Sequence, residues 1–491
     1  MDTTTQDSYD LRDSKSVNRI PTQALSKLPP EIVELIIYAL CQSCQYCDHG
    51  YEPTVAGRGT LENLSLTCKR FRYFAAPHLR HTFSLYHKGP LDPTNHGFVI
   101  HQRTNRLVNR GGSLADIRYV EANLSLQCTW GHSGQRRCAC RKDLHSSIPR
   151  TLASLSNLEK LDIIVDGSCW YKEDKIIMPQ FQGWEVYNSV KSLRFLCARP
   201  PDGQEVSAYH TLAWGGSQLI DKLPNLTSLY IHGITRLKFY SDPMLCHGYP
   251  TLAHLRYLKL TNCRYISRTC FSLLVEHCRL LEVFIFGRGE SPDGGIIREW
   301  SWNNYNLESE ISPREIVDEL SRKIPKTLKR LTVGPWFGWE GQYAPANVYY
   351  RNRYEFMQDK LVRRNVIGSL RRFRNLEEVH LCQDVIIGPP KCTVPDENGD
   401  PSLDMLPVSL KKLKISGANR YLTPCLMRLL EATCRGKLRE ICLSSTNPFL
   451  DQLDTFEEKQ SLMSEWPRID EKDLDFLTQG FKEKGVNLHT N

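Results

Sequence analysis

Two clusters of cysteine and histidine carry the side chains of this sequence that are best suited to metal binding. The first consists of Cys41, Cys44, Cys47 and His49, which have the two-residue spacing of a zinc knuckle and would supply four ligands for a tetrahedral site. All four lie within one short stretch, however, with no distant second pair to close a loop. The favoured interpretation is therefore that these thiols pack as small apolar groups and bind no metal.

The second cluster is Cys128, His132, Cys138 and Cys140, inside the basic stretch GQRRCACRKD. Its C-x-C pair is not the usual zinc spacing, so again we expect no metal. A metal- or nucleic-acid-binding module built on the two clusters stays open as an alternative. The sequence contains no GxxxxGK[ST], GxSxG or HExxH motif. We therefore expect neither catalytic residues nor a cofactor, and predict that the protein is not an enzyme.

The elements that would position any site follow a repeated LxxLxL pattern. Leu255, Leu258 and Leu260 set this pattern, in which alternate side chains of a strand enter the core while Tyr257 and Lys259 face solvent. Eight further segments carry it: Leu158-Leu161-Ile163, Val190-Leu193-Phe195, Leu226-Leu229-Ile231, Leu280-Val283-Ile285, Leu328-Leu331-Val333, Leu376-Val379-Leu381, Leu410-Leu413-Ile415 and Leu438-Ile441-Leu443. A segment at 114–126 resembles an imperfect further strand. The spacing is that of a leucine-rich repeat.

Between the strands at 255 and 280, apolar residues recur at helical spacing, as Ile266, Cys270 and Leu274 show. One strand and helix cannot close a core alone, so the units must stack on their neighbours. The sequence thus predicts an α/β fold: a curved leucine-rich-repeat solenoid with parallel strands on its concave face and helices or loops outside. Residues 360–374, which are rich in arginine, are predicted as a helix leading into the strand at Leu376.

Two amphipathic helices precede the repeats. In the first, at 25–40, Pro29 and Pro30 are tolerated in the opening turn. This helix is apolar on two sides: Ile32, Leu35, Ile36 and Ala39 form one face, and Val33, Ile37 and Leu40 form the other. The second helix covers 60–79. Because a short helix that is apolar on both sides must be covered on both sides, we expect one face to pack internally and the other to meet a partner.

This pair of helices resembles the F-box. The family pattern LPxEIxxxIxxxL, followed by LxxLsLvCrrfr, is matched by Leu28, Pro29, Glu31, Ile32, Ile36 and Leu40, and then by Leu61, Leu64, Leu66, Cys68, Lys69, Arg70 and Phe71. The resemblance covers residues 25–83, and an F-box ahead of leucine-rich repeats is a known arrangement, many members being fungal. It implies that the small domain docks on the Skp adaptor of a cullin-based ubiquitin ligase while the repeats bind the substrate protein.

The resemblance and the patterns together divide the chain into five parts: a disordered lead at 1–20, the F-box at 21–85, a linker or imperfect first repeats at 86–150, the repeats at 151–446, and a C-terminal cap and tail at 447–491. The first 28 residues lack an apolar signal region, and no long apolar run is present. We therefore expect a cytoplasmic or nuclear protein with reduced thiols, associated with no membrane and not with nucleic acid.

These interpretations assign two sets of binding residues. The adaptor-binding set is Leu28, Pro29, Ile32, Leu35, Ile36, Leu61, Leu64, Leu66 and Phe71. The substrate-binding set is Tyr257, Phe284, Trp300, Trp302, Trp336 and Trp339, since aromatic residues on loops held by a rigid scaffold often dominate binding. The alternative is a repeat scaffold for protein interaction that is unconnected with ubiquitin and whose first helices merely cap the solenoid.

Overall fold

The structure divides into two compact units between Thr82 and Phe83. The computed structural model describes residues 27–40, 56–84, 114–123, 148–166, 171–172, 175–176, 185–198, 217–220, 222–232, 250–261, 263, 266, 268–287, 311–334, 366–387, 406–432, 437–444 and 468–490. Both Cys/His clusters and all four tryptophans of the predicted substrate site lie outside these residues.

The first unit is helical. Its helices are α1 (Pro30–Leu40), α2 (Ala56–Thr67) and α3 (Lys69–Arg80). Cys68 separates α2 from α3 and caps the latter, its thiol accepting a hydrogen bond from the Phe71 amide at 3.5 Å. The small core of this unit consists of Val33, Ile37, Leu61, Phe71 and Ala75.

The second unit is built on a parallel sheet. Neighbouring strands pair in the order β2, β3, β6, β7, β8, β9, β10, β11, β12, β13, β14, and each of these pairs is parallel. The bounds are β2 Tyr119–Asn123, β3 Lys160–Asp166, β6 Ser192–Ala198, β7 Ser228–His232, β8 Tyr257–Thr261, β9 Val283–Gly287, β10 Arg330–Val333, β11 Glu378–Cys382, β12 Lys412–Ser416, β13 Glu440–Ser444 and β14 Asn487–Thr490. The edge strand β1 (Thr82–Ser84) contains the boundary between the units. A separate hairpin pairs β4 (Tyr171–Lys172) with β5 (Lys175–Ile176).

Helices connect several of these strands, as parallel pairing requires. They are α4 (Ile148–Ala153), α5 (Ser217–Ile220), α6 (Arg268–His277), α7 (Pro313–Lys323), α8 (Gln383–Ile387), α9 (Thr423–Ala432) and α10 (Glu471–Glu483), with 3₁₀ turns at Leu114–Asp116, Pro250–His254 and Arg420–Leu422. Helix α7 begins with a capping box, in which the Ser312 hydroxyl accepts from the Glu315 amide at 3.2 Å and the Glu315 carboxylate accepts from the Ser312 amide at 2.9 Å. None of the described helices is long and apolar enough to cross a membrane.

The pattern residues form one continuous core on one face of the sheet. Leu258, Leu331 and Leu413, for example, are fully buried, and the equivalent positions of the other strands belong to the same cluster. The structure therefore confirms the coarse prediction of an α/β fold with parallel strands and intervening helices. The strand expected within 114–126 is also confirmed, since β2 pairs with β3.

Strand β9 corrects the pattern by one residue. The expected core segment was Leu280-Val283-Ile285, but Leu280 is exposed and Phe284 is fully buried. Phe284 lies in register with Leu258 on one side and Leu331 on the other, so the core segment is Leu281-Phe284-Phe286. Because side chains alternate along a strand, a shift of one residue moves each of them to the opposite face. The expectation that Phe284 faces solvent was therefore wrong.

Two further predictions differ from the structure. The described part of the arginine-rich segment, 366–374, forms turns rather than a helix. Two of its own residues, Leu370 and Phe373, are buried. The C-terminal segment was expected to be a cap and tail, yet α10 is followed by β14, which extends the parallel sheet beside β13. In α10, Leu477 is buried, whereas Phe476 is exposed.

Candidate functional site

Helix α1 of the first unit has one face in the core and one face in contact with solvent. Pro29 and Pro30 suit its first turn because their missing amide protons need no partner there, and Glu31 favours the positive end of its dipole. Val33 and Ile37, four residues apart, are both fully buried in the core of the unit. The prediction that one apolar face of this helix packs internally is thus confirmed.

The opposite face of α1 leaves large apolar side chains in contact with solvent. Ile32 is 41% exposed, Leu35 63% and Tyr38 53%. In the same unit, Leu66 of α2 is 71% exposed and Tyr73 of α3 is 77% exposed. A folded protein buries such side chains where it can, so this group of them in one small unit is a candidate binding surface.

A groove of about 1140 Å³ lies between α1 and α3. Helix α1 lines it with Glu31, Glu34, Leu35 and Tyr38, and helix α3 with Lys69, Arg72, Tyr73, Phe74, Ala76 and His78. In α1 the four lining residues follow the spacing of three, four and seven that places side chains on one helical face, and in α3 Lys69, Arg72, Tyr73 and Ala76 follow the same spacing. The groove is therefore formed by two helical stripes that face it.

The two sides of the groove carry opposite charge. Glu31 and Glu34 stand at the beginning of the α1 stripe, and Lys69 and Arg72 at the beginning of the α3 stripe. All four are exposed, and among the described residues none of them forms an ion pair. Arg72 Nε donates a hydrogen bond to the Ser65 carbonyl oxygen at 3.4 Å.

The residues predicted to bind the adaptor fall into two groups. Those at or near the surface are Leu28, Pro29, Ile32, Leu35, Ile36, Leu64 and Leu66, of which Leu28, Ile36 and Leu64 are half-buried. Leu61 and Phe71, by contrast, are 2% and 1% exposed and belong to the core of the unit. Both belong to the same small core as Val33 and Ile37, so in this structure they offer almost no surface to a partner.

Tyr38 and Tyr73 are surface residues that sequence reasoning missed. Both line the groove and both are more than half exposed. A tyrosine suits an interface because it combines a large apolar ring with a hydroxyl that tolerates water. The signal was present in the sequence, since Tyr38 follows Leu35 and Tyr73 follows Lys69 at helical spacing.

In the second unit, the sheet face opposite the core carries a buried polar cluster on β2, β3 and β6. The Tyr119 hydroxyl donates to Asp162 Oδ2 at 2.8 Å, and Arg194 Nε lies 3.2 Å from the same oxygen as an ion pair. Burial, and then the charge of Asp162, raises the pKa of Tyr119. The remaining oxygen, Asp162 Oδ1, has no hydrogen-bond partner within the described part of the chain.

The cluster continues across β7 and β8. The Tyr230 ring lies 5.7 Å from the Arg194 guanidinium and 4.5 Å from Lys259 Nζ, so it contacts a cation on each side. His232 and Thr261 are buried next to it, with His232 Nδ1 2.8 Å from Thr261 Oγ1 and Thr261 Oγ1 donating to the Tyr230 hydroxyl at 3.1 Å. These contacts fix the tyrosine, which is consistent with a structural role for the cluster.

From β8 to β12 the residues just before each strand alternate in charge. They are Arg256, Glu282, Lys329, Glu377 and Lys411. Lys329 Nζ lies 2.7 Å and Arg256 Nη1 3.3 Å from Glu282, and Lys411 Nζ lies 2.9 Å from Glu377.

A second row of charged residues occupies the first position of strands β10, β11, β12 and β13. It runs Arg330, Glu378, Lys412 and Glu440, with Arg330 paired to Glu378 and Lys412 Nζ 2.8 Å from Glu440. The side chains of both rows are partly exposed and form ion pairs with their neighbours in the same row. Their charges therefore largely cancel, and little net charge is left to attract a ligand.

His380 lies on β11, two residues after Glu378 and on the sheet face opposite the core. Its Nε2 lies 2.6 Å from the Ser416 hydroxyl of β12. Burial, reinforced by the nearby cations Lys414 and Arg330, lowers the pKa of His380 to about 4. This histidine is therefore neutral at physiological pH.

The described residues of the predicted substrate site are buried. Phe284 contacts the Phe271 ring of α6 edge-on at 5.6 Å between centroids. Tyr257 is only 6% exposed, so its expected exposure was also wrong. Neighbouring side chains that reach the opposite sheet face, Ile285 and Thr332, are half-buried.

No protein-family model matches the chain, and no curated protein matches it. Within the described residues, no group of three or more His, Cys, Asp or Glu side chains is arranged to hold a metal ion. The exposed apolar groove of the helical unit is therefore the feature of the described structure that most clearly suggests binding.

Proposed function

We propose that the protein is the non-catalytic substrate-recognition subunit of a Skp-cullin-F-box ubiquitin ligase. In this proposal residues 21–85 form an F-box that docks on the Skp adaptor, and through it on a cullin. Residues 151–446 form a curved leucine-rich-repeat solenoid that binds the target protein. The parallel strands with an LxxLxL core support the solenoid, and the order of the helical motifs ahead of the repeats supports the F-box.

The observation that carries the proposal is the exposed apolar face of the helical unit. Ile32 and Leu35 belong to the F-box-like motif, and both remain exposed although the same helix buries Val33 and Ile37. A helix that only capped the end of the solenoid would need a polar outer face, whereas Ile32 and Leu35 are apolar. Apolar anchors at this spacing are typical of helix-in-groove recognition.

The test is binding of purified Skp adaptor to the full chain. Replacing Ile32 and Leu35 together by Asp should weaken binding by at least about a hundredfold, because central apolar anchors contribute about 2 kcal/mol or more each. Phe476→Asp is the matched control, since Phe476 is an apolar residue of similar exposure in the other unit. Undiminished binding by the double variant would exclude this docking surface. A wild-type chain that does not bind the adaptor would favour the repeat scaffold unconnected with ubiquitin.

The substrate-binding surface stays a prediction. The region of β9 and β10, together with Trp300, Trp302, Trp336 and Trp339 in the segments that follow them, is the proposed contact area. Phe284 is excluded from it because it belongs to the core. Ile285 and Thr332 occupy the opposite sheet face at that point and are the available contacts.

A further inference from the structure

We propose that the turns leading into β9, β10 and β11 form a docking surface for an acidic segment of a partner protein, in which apolar residues flank the carboxylates. The surface consists of a basic row, Arg279, Lys326 and Arg374, with Leu280 and Val408 at its two ends. It lies in the second unit, and the argument for it does not depend on the proposed function.

The basic row takes one residue from each of three successive repeats. Arg279, Lys326 and Arg374 each stand four residues before the first residue of their strand, and the three strands are aligned in register. The last two turns are in contact, since the Arg374 amide donates to the Pro325 carbonyl oxygen at 3.0 Å and Asn375 Nδ2 donates to the Lys326 carbonyl oxygen at 2.6 Å. Because neighbouring strands lie about 4.8 Å apart, the three positions fall within roughly 10 Å.

The charge of the basic row is not neutralised. Its three side chains are exposed, and no acidic side chain of the described ranges forms an ion pair with them. Carboxylates of the same repeats are paired with other cations: Glu276 with Lys323 at 2.8 Å, Glu282 with Lys329 at 2.7 Å and Glu377 with Lys411 at 2.9 Å. Like charges on neighbouring strands are destabilising, so the basic row does not serve the fold, whereas carboxylates of a partner would complement it.

The two ends of the basic row are apolar. Leu280, next to Arg279, is 43% exposed, and Val408 occupies the equivalent position of the following repeat and is 72% exposed. Three strand spacings separate these ends, roughly 15 Å, which about five residues of extended chain would span. Aliphatic side chains at both ends suit a protein segment better than a nucleic acid, which commonly needs about 6–10 phosphate contacts and aromatic side chains for base stacking.

The experiment measures the affinity of the full chain for a fluorescein-labelled peptide with four consecutive glutamates between two leucines, by fluorescence anisotropy at low salt. Arg279→Glu with Lys326→Glu and Arg374→Glu should weaken binding at least about tenfold, because three attractions become repulsions. Wild-type binding should itself weaken in about 0.5 M salt, where exposed charges are screened. A peptide with serines in place of the leucines should bind about threefold more weakly, and Leu280→Ser with Val408→Ser should remove that difference.

The matched control reverses three exposed cations at and before α10, as Arg468→Glu with Lys472→Glu and Lys482→Glu. It changes the net charge by the same amount and should leave the affinity unchanged. Circular dichroism checks that both triple variants are folded. If the reversed basic row prevents folding, Arg279→Gln with Lys326→Gln and Arg374→Gln takes its place and should weaken binding about fivefold.

Four results would overturn the proposal. The first is a wild-type chain that binds neither peptide at low salt. The second is an equal loss in the two triple variants, which would assign binding to net charge. The third is equal binding of the two peptides by the wild-type chain, which would remove the apolar ends. The fourth is tighter binding of a thymidine oligonucleotide of the same charge that is lost with the basic row, which would make the surface a nucleic-acid site.

Discussion

Replacing Phe284 by Ala tests the corrected position of strand β9 in the core. Phe284 is fully buried and lies between Leu258 and Leu331 in register, with the Phe271 ring against it. A phenylalanine buries about 150–250 Å², which at about 25 cal/mol/Å² gives an upper bound of about 4–6 kcal/mol. Since alanine retains part of that area, we expect Phe284→Ala to lower the free energy of unfolding by about 3–5 kcal/mol.

The matched variant is Ile285→Ala. Ile285 is the neighbouring residue that the sequence pattern assigns to the core, but in the structure it is half-buried on the opposite sheet face. Its truncation leaves no sealed cavity and should cost about 1 kcal/mol or less. Urea unfolding of both variants, followed by circular dichroism, measures the difference. A larger loss for Ile285→Ala than for Phe284→Ala would refute the register described here and restore the original pattern.

Three other predictions concern polar groups of the second unit. Asp162→Asn should lower the free energy of unfolding by about 1–3 kcal/mol in urea titrations, because it weakens the buried pair with Arg194, whereas Glu159→Gln at an exposed pair should cost less than about 1 kcal/mol. His380 has a folded-state pKa of about 4 against an ordinary 6.5, so the unfolded chain binds the extra proton and stability should fall as pH decreases from 6.5 to 4; His380→Gln should flatten that part of the profile. Ser312→Ala removes the cap of α7 and should cost about 1 kcal/mol by thermal unfolding, with rescue by Ser312→Thr.

The repeat strands could be predicted from sequence because their signal is redundant. A single LxxLxL match is weak, but the same spacing recurs along the chain, and each segment must bury the same alternate positions to share a core. The exception at β9 has a local cause. Leu280 and Leu281 are both leucine, and the strand VFIFG has apolar side chains on both of its alternating faces. Either register satisfies the pattern there, and only pairing with the neighbouring strands decides between them.

The binding surface could be predicted only in part. The sequence showed that α1 is apolar on both sides, but it did not show which side the core of the unit takes. Leu61 and Phe71 match the F-box-like motif as well as Leu66 does, although two of these three residues are core and one is exposed. A motif contains residues that are needed for folding as well as residues that are needed for binding. The burial of each residue in the structure distinguishes the two roles.

The alternating charges between β8 and β12 also bear on how the strands choose their neighbours during folding. All the strands present similar apolar cores, so hydrophobic burial alone allows one strand to be skipped. Skipping β11 would place Lys329 beside Lys411 and Arg330 beside Lys412, and each such like-charged pair costs about 0.2–1 kcal/mol. Loss of β10 and β11 together would instead bring Glu282 beside Lys411. The sheet should therefore tolerate deletion of these two successive repeats better than deletion of β11 alone, which the yield of folded protein from the two deletions would reveal.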